Sequence, residues 1–462
     1  MKLTIPEVLQ ATGGVLLQGR KAVTFRGIST DSRTLQAGDL FIAIAGEKFD
    51  GHHFVNEVAK KSPVMIVAKR GLRVAHGATV IYVKDTVKAL GEIALAHRQK
   101  FKIPLIAITG STGKTTTKEM VAQVLRTKFR VLSNFGTHNN HIGVPMTLLK
   151  LTNDHQIAVL ELGTNRCGDI RWLTHVARPT VAVYTNIGES HLELLKTPQG
   201  VLREKLELAK NMPQKSMIIV NADNPYLAKF SEKDLRRKII RFGIDSKADY
   251  RATDCQVIKN QNLQFTVNRR YLMSLRTPVM ENVYNALAAI SCGRLFQISY
   301  NDIKSALAWM EFPKGRQAVQ RLGDYWLIDD TYNANPVSLR SAIGTLARLK
   351  TNGRRILVCA DMLELGTKSQ TLHSAIGEFV AEANIDSVFT FGKFSRFISA
   401  TARAKSSRLA VRHFISLPRL HGYLKQYCRP GDAILVKGSR SMHMEQTIDF
   451  IKKNLILDAS RT

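Results

Sequence analysis

The stretch "ITGSTGKTTTKEM", residues 108–120, carries two glycines, a lysine and a run of hydroxyl residues in the order a phosphate-binding loop requires. Gly110 stands four residues before Lys114, whereas the commonest loop of this kind has its first glycine six before the lysine. The apolar "LIAIT" ahead of it reads as a buried strand, and the segment from Lys114 onward as a helix. Backbone N–H groups and a helix N-terminus then meet at Gly110, Ser111, Thr112 and Gly113, where anionic oxygens are favoured. Lys114 adds a point charge for terminal phosphates and Thr115 a hydroxyl for Mg2+, with Thr116 packed beside them. A glycine-rich turn without function is the plain alternative. The coincidence of strand, glycines, lysine and threonines in this order favours nucleotide binding.

Other candidates follow apolar runs further along. Glu161 ends "IAVLE" and His191 follows "VAVYTNIGES", so both are expected at the same sheet edge as the loop, where a carboxylate or imidazole can bind Mg2+. Either residue alone reads as a strand-end charge or a capping or core histidine; convergence with the loop makes them candidates. Lys205, on the amphipathic "GVLREKLELAK", reads from periodicity alone as a solvated charge. In "WLIDDTYNANP" an Asx turn accounts for Asn333, Asn335 and Pro336, while Asp330 could stand beside a metal-bound phosphate from a second domain. Arg316 in "FPKGRQ" is a phosphate clamp at a domain joint or a linker arginine. "LVKGSRSMHME" sets Lys437, Gly438 and Arg440 after a strand, as an anion site or a basic turn.

Elements that could position these groups are legible in the patterning. Of 462 residues, 44% are hydrophobic, which suits compact folding, and the length suggests about three domains. Up to residue 100, short strand-like runs between turns predict a small mixed unit. From residue 101 apolar strands alternate with helices, predicting a largely parallel sheet with ligands at the strand carboxyl ends; a second alternating unit begins at 313. The expected class is therefore α/β, with domains at 1–100, 101–312 and 313–462. Five scattered cysteines without a CxxC pair suggest neither zinc nor disulfides. No apolar run reaches a membrane-spanning length and no secretion signal is evident, so a cytoplasmic location is expected. A formal charge of +30 would favour polyanionic partners, but it is spread along the chain with few interleaved aromatics and no nucleic-acid motif. A solvated basic surface is the expected reading, with no nucleic acid bound.

Taken in order, "TGSTGKTTTKE", "NNHIGVP", "ELGTNRCGDI", "TNIGESHLE", "NVYNALAA", "GRQ", "DDTYNANP", "ADMLELG" and "VKGSRSMHME" resemble the Mur ligases over nearly the whole chain. The last motifs are similar to those of the members that join D-alanyl-D-alanine to UDP-N-acetylmuramoyl-tripeptide. The resemblance implies an N-terminal UDP-binding domain, a central P-loop-type ATPase sheet and a C-terminal Rossmann-like domain closing over them. It implies ATP and Mg2+ as cofactors, a monomer, and a role in peptidoglycan synthesis, hence in cell shape and division. Carried over by motif, Lys114 and Thr115 meet the ATP phosphates and magnesium; Glu161 and His191 bind magnesium; Asn285 and Arg316 hold the nucleotide; Asp330 and Asn333 complete the site. Lys205 falls where the family carries a carbamylated lysine, and Asn139 and Asn140 line the reacting carboxylate. Ser32, Arg33, Asp50, Gly51 and His52 sit where the family handles uridine. The motif around Lys205 departs from the family's, with Glu204 before it and Leu206 after it, and Glu281 stands where a histidine is common. A sister ligase adding a diamino acid, and a basic ATP-dependent nucleic-acid-binding protein, are the competing readings.

Overall fold

A computed structural model describes residues 3–46, 49–72, 74 and 77–456. Among them the strands gather into three successive sheets of five, nine and six. In the first, Thr79–Tyr82, Val64–Val67, Leu40–Ile42 and Ile28–Ser29 are parallel neighbours, and Val15–Gln18 pairs antiparallel with Thr79–Tyr82 at one edge. Helix Thr86–Arg98, started by Asp85 accepting from the N–H groups of Val87 and Lys88, leads into the second sheet.

Six parallel strands run inward from one edge of the nine-stranded sheet: Val131–Ser133, Ile157–Glu161, Leu105–Thr109, Val181–Tyr184, Met217–Asn221 and Ile239–Gly243. Leu105–Thr109 and Ile157–Glu161 are buried at every position, as strands covered on both faces must be, which is why they read as unbroken apolar runs. Helices Lys114–Arg126 and Asn282–Leu295 pack together over one face. The sheet continues through Tyr250–Val257 into an antiparallel extension, Leu263–Val267 and Tyr271–Leu275. Here the arginine-rich stretch "TVNRRYLMSLR" is a hairpin whose turn holds Asn268 and Arg269 at φ 50° and 56°. Its apolar residues alternate along Leu263–Val267, buried at every second position, while the arginines occupy turn and strand end.

The third sheet runs Ala318–Leu322, Tyr325–Asp330, Ala433–Lys437, Arg355–Ala360, Ser387–Phe391 and Ala410–Phe414, parallel except for the first hairpin. Asn335 and Ser338 form a reciprocal capping box with Pro336 in the first turn of helix Pro336–Arg348. That explains the Asn and Pro of "DDTYNANP" and lets the chain leave the strand end beside Asp330. Among the described residues, no helix is long and apolar enough to cross a membrane.

Candidate active site

Strand Leu105–Thr109 delivers the phosphate loop to the sheet edge. Gly113 adopts φ 77°, a left-handed conformation that favours glycine, and a Cβ there would lie 2.7 Å from Asn285 Oδ1. The same Oδ1 accepts from the Thr117 hydroxyl at 3.0 Å, so helix Asn282–Leu295 is seated against the loop through Asn285. No side chain caps the first turn of helix Lys114–Arg126 among the described residues, leaving its N–H groups for an anion. Lys114 Nζ donates to the Gly110 carbonyl at 2.9 Å. Burial, assisted by the nearby Arg316 charge and opposed by Glu161, depresses its pKa. The N–H groups of Ser111 and Thr112 donate to Asn186 Oδ1 at 3.1 and 2.8 Å, so a carboxamide oxygen occupies donors suited to phosphate.

Glu161 is buried behind the loop, and both carboxylate oxygens are engaged: Thr115 Oγ1 donates to one at 2.7 Å and Asn139 Nδ2 to the other at 2.6 Å. Asn140 turns elsewhere, accepting from the N–H groups of Ile142 and Gly143 at the start of helix Gly143–Leu148. Lys205 is not the solvated charge that periodicity implies. Only 1% exposed on helix Pro198–Asn211, its ammonium makes no hydrogen bond among the described residues. Burial first, then the Lys114 charge, drives its pKa far down against the pull of Glu204 and Glu161. The neighbouring Glu204 carboxylate accepts from the N–H groups of Gly168 and Ile170, both at 2.8 Å, and so closes the start of helix Asp169–Ala177.

The third sheet faces this edge with Asp330, Asn333 and Arg316. Asp330 Oδ2 accepts from Lys437 Nζ at 2.6 Å, and Lys437 also donates to the Asn333 carbonyl at 2.9 Å. Lys437 is thus held in a buried ion pair with Asp330 at the wall of the cleft. Burial holds Asp330 above the ordinary carboxylate range despite its partner. The Arg316 guanidinium lies 4.0 Å from the Tyr332 ring centre, a stacking that orients it along the cleft wall. His191 and Glu364 connect the two units, Nδ1 to Oε2 at 2.6 Å.

One cleft of about 1310 Å³ separates the second and third sheets. Ser111, Thr112, Gly113, Lys114, Thr116, Asn139, Asn140, Glu161, His191, Asn285, Arg316, Asp330 and Asn333 all line it. Gly110, Thr115 and Lys205 stand behind its wall. The N-terminal candidates are not brought to it: Arg33 pairs with Asp31 at 2.7 Å and pulls that carboxyl down to about 2, while Asp50 holds both His52 and Lys69 at 2.6 Å. His52 is buried, its Nε2 accepting from the Ala68 N–H, and Gly51 passes close to the backbone at Ala43 and Ile44. Among the described residues no three His, Cys, Asp or Glu side chains cluster as a metal centre. The available donors, a threonine hydroxyl, a carboxylate and one imidazole, are too few for a resident metal and suit Mg2+ arriving with phosphate oxygens.

Sequence reasoning missed Asn186, Glu364 and Lys118. Lys118, one turn after Lys114 on the same helix face, is fully buried and donates to the Asn134 and Gly136 carbonyls, shaping the loop that carries Asn139. Its i, i+4 spacing from Lys114 was the available signal. Asn186 lay within "TNIGES", but which amide meets the loop depends on strand register.

Three family models match in succession: the Mur ligase family catalytic domain over residues 24–98, the Mur ligase middle domain over 108–293 and the glutamate ligase domain over 315–440. The chain belongs to the Mur ligase family, whose members are ATP-dependent ligases. It is 33% identical to the UDP-N-acetylmuramoyl-tripeptide--D-alanyl-D-alanine ligase of Bacillus subtilis, over 98% of this chain and all of that protein. Its fold matches the crystal structure of MurF from Acinetobacter baumannii with a TM-score of 0.87 at 32% identity, covering 97% of this chain and 98% of the other. MurF from Thermotoga maritima, solved in complex with ADP, gives 0.84 at 26% identity, covering 96% and 100%.

Proposed function

We propose that this chain joins D-alanyl-D-alanine to the terminal carboxylate of UDP-N-acetylmuramoyl-tripeptide with cleavage of ATP, forming UDP-N-acetylmuramoyl-pentapeptide and releasing ADP and phosphate. The observation that carries the reading is the single cleft in which a phosphate loop and Glu161 face Arg316, Asp330 and Asn333 from another unit. Full-length similarity to relatives bearing that activity in their name supports the choice of substrates. The unit boundaries are placed at 100/101 and 312/313, and the chain is taken to act as a cytoplasmic monomer.

In this mechanism the Gly113 turn and the open helix start at Lys114 bind the triphosphate, with Lys114 and Arg316 compensating its charge. Magnesium bound with ATP would be held by Thr115, Glu161 and His191, with Lys205 as its carbamate adding a further carboxylate, and it supplies charge neutralisation at the phosphoryl oxygens. Thr115 and Asn139 keep the Glu161 carboxylate in one orientation. Asn139 also stands where the tripeptide carboxylate meets the γ-phosphoryl group. That carboxylate takes the phosphoryl group to give an acyl phosphate, with ADP leaving. The neutral amine of D-alanyl-D-alanine then attacks the acyl carbon, and phosphate departs from the tetrahedral intermediate. Ser32, Arg33 and the Asp50 turn take the uridine end in the N-terminal unit.

The test is phosphate release with ATP, Mg2+ and UDP-N-acetylmuramoyl-tripeptide, with D-alanyl-D-alanine present, omitted or replaced by a diamino acid, followed by product mass. Release requiring both substrates and yielding the pentapeptide is expected. Lys114→Ala should abolish acyl-phosphate formation; substantial formation by that variant, or turnover only with a diamino acid acceptor, would overturn the assignment.

A further inference from the structure

The segment Asn186–His191 touches both walls of the cleft. At one end Asn186 Oδ1 accepts from the loop N–H groups of Ser111 and Thr112, Gly188 exchanges hydrogen bonds with the Ser111 hydroxyl at 3.0 Å each, and Ser190 Oγ donates to the same hydroxyl. At the other end it meets the third-sheet unit. A Cβ on Gly188 would lie 2.8 Å from Val337, and His191 Nδ1 is 2.6 Å from Glu364 Oε2. The Glu193 N–H donates to the Glu364 carbonyl at 2.9 Å, so Glu364 is held by backbone as well as side chain. His191 and Glu364, neither a glycine, both adopt left-handed conformations, φ 52° and 61°. Left-handed backbone at such residues is strained and persists where surrounding contacts dictate it. Gly366, at φ 58°, lets the chain pass within contact of Glu193.

With Nδ1 committed to a carboxylate, the ring is held in one orientation and Nε2 is the nitrogen left for a ligand. A carboxylate behind a histidine is the usual outer support of a metal-binding imidazole. Here the support comes from a different domain. We propose that Glu364 is a positioning residue that orients His191 for cation binding only when the C-terminal unit is docked, so that closure and cation affinity are coupled. The proposal rests on the reading of His191 as a ligand for the nucleotide-bound cation.

The test uses full-length protein with ADP and Mn2+, following bound Mn2+ by its electron paramagnetic resonance. Glu364→Gln keeps the shape and the backbone contact, and the residue is half-exposed, so the variant folds. It should weaken Mn2+ binding about tenfold or more while leaving metal-free ADP binding unchanged, and Glu364→Asp should recover part of the loss. In turnover, kcat should fall with KM for D-alanyl-D-alanine unchanged. Unchanged Mn2+ affinity in Glu364→Gln, with His191→Ala weakened, would overturn the role of Glu364 alone. Unchanged affinity in His191→Ala as well would remove His191 as a ligand and with it the parent reading of this residue. Loss of ADP binding in Glu364→Gln would show a merely structural contact and also overturn the proposal.

Discussion

Lys205 illustrates how far a side chain's environment can depart from what its sequence context suggests. Burying a lysine side chain disfavours its charged form, and burial is the first cause of the downward shift of the Lys205 pKa. The unfolded lysine binds a proton up to its ordinary pKa near 10.5, whereas the folded one releases it well below that value. Between its folded and unfolded pKa values the unfolded chain binds more protons than the folded one, so stability rises with pH towards 10.5. In buffer freed of carbon dioxide, Lys205→Met should raise the melting temperature at pH 7 by at least about 2 °C, and by less at pH 10. The same variant should be inactive under the proposed mechanism, in which Lys205 carries a carbamate. Calorimetry at the two pH values decides the matter: equal or negative shifts at both would mean that the lysine is charged in the folded protein.

At the scale of elements, two helices owe their position to side chains from elsewhere in the chain. Helix Asp169–Ala177 has its first N–H groups satisfied by Glu204 of helix Pro198–Asn211, which gives a structural reason for that acid beside Lys205. Glu204→Ala leaves those donors buried and should destabilise the protein by about 2 kcal/mol in urea unfolding, with Glu204→Gln retaining part of it. A loss under 0.5 kcal/mol would show that water or the loop replaces the carboxylate. Helix Asn282–Leu295 is tied to the phosphate loop by Asn285, and Gly113→Ala should weaken ADP binding at least about tenfold, since it meets both the left-handed φ and Asn285. Calorimetric titration with ADP would show it, and affinity within twofold would mean the loop adapts. Such dependences mark the limit of sequence reading. Strand ends at Glu161 and Asp330 were legible because largely buried strands leave an apolar run and because a chemical group stands at each end. The Asn186 contact, the pairing of Lys437 with Asp330 and the meeting of His191 with Glu364 were not, because each joins residues far apart in the chain through register or docking. The antiparallel extension was hidden by its arginines, which mask the alternation of Leu263, Phe265 and Val267.

Across the whole molecule, the +30 charge is less even than it first reads. Residues 387–431 contain nine lysines and arginines and no acid, whereas the rest of 313–462 holds fourteen basic and twelve acidic residues. All nine are exposed, on and around the edge strand Ala410–Phe414, and none lines the cleft. Field from these charges is screened beyond about 8 Å at physiological salt, so it can draw in an anionic nucleotide sugar only in dilute buffer. Arg316 and Lys114 act at contact distance and are screened far less. The proposed activity should therefore show kcat/KM for the UDP substrate falling several-fold between roughly 20 and 300 mM salt, with kcat unchanged. The double variant Lys405→Glu, Arg419→Glu, at exposed sites on that edge, should lower the low-salt value alone. Arg316→Ala should lower it at both salts. If the edge variant lost as much at 300 mM as at 20 mM, that surface would be touching substrate directly, and the cleft between the second and third sheets would not be the whole binding site.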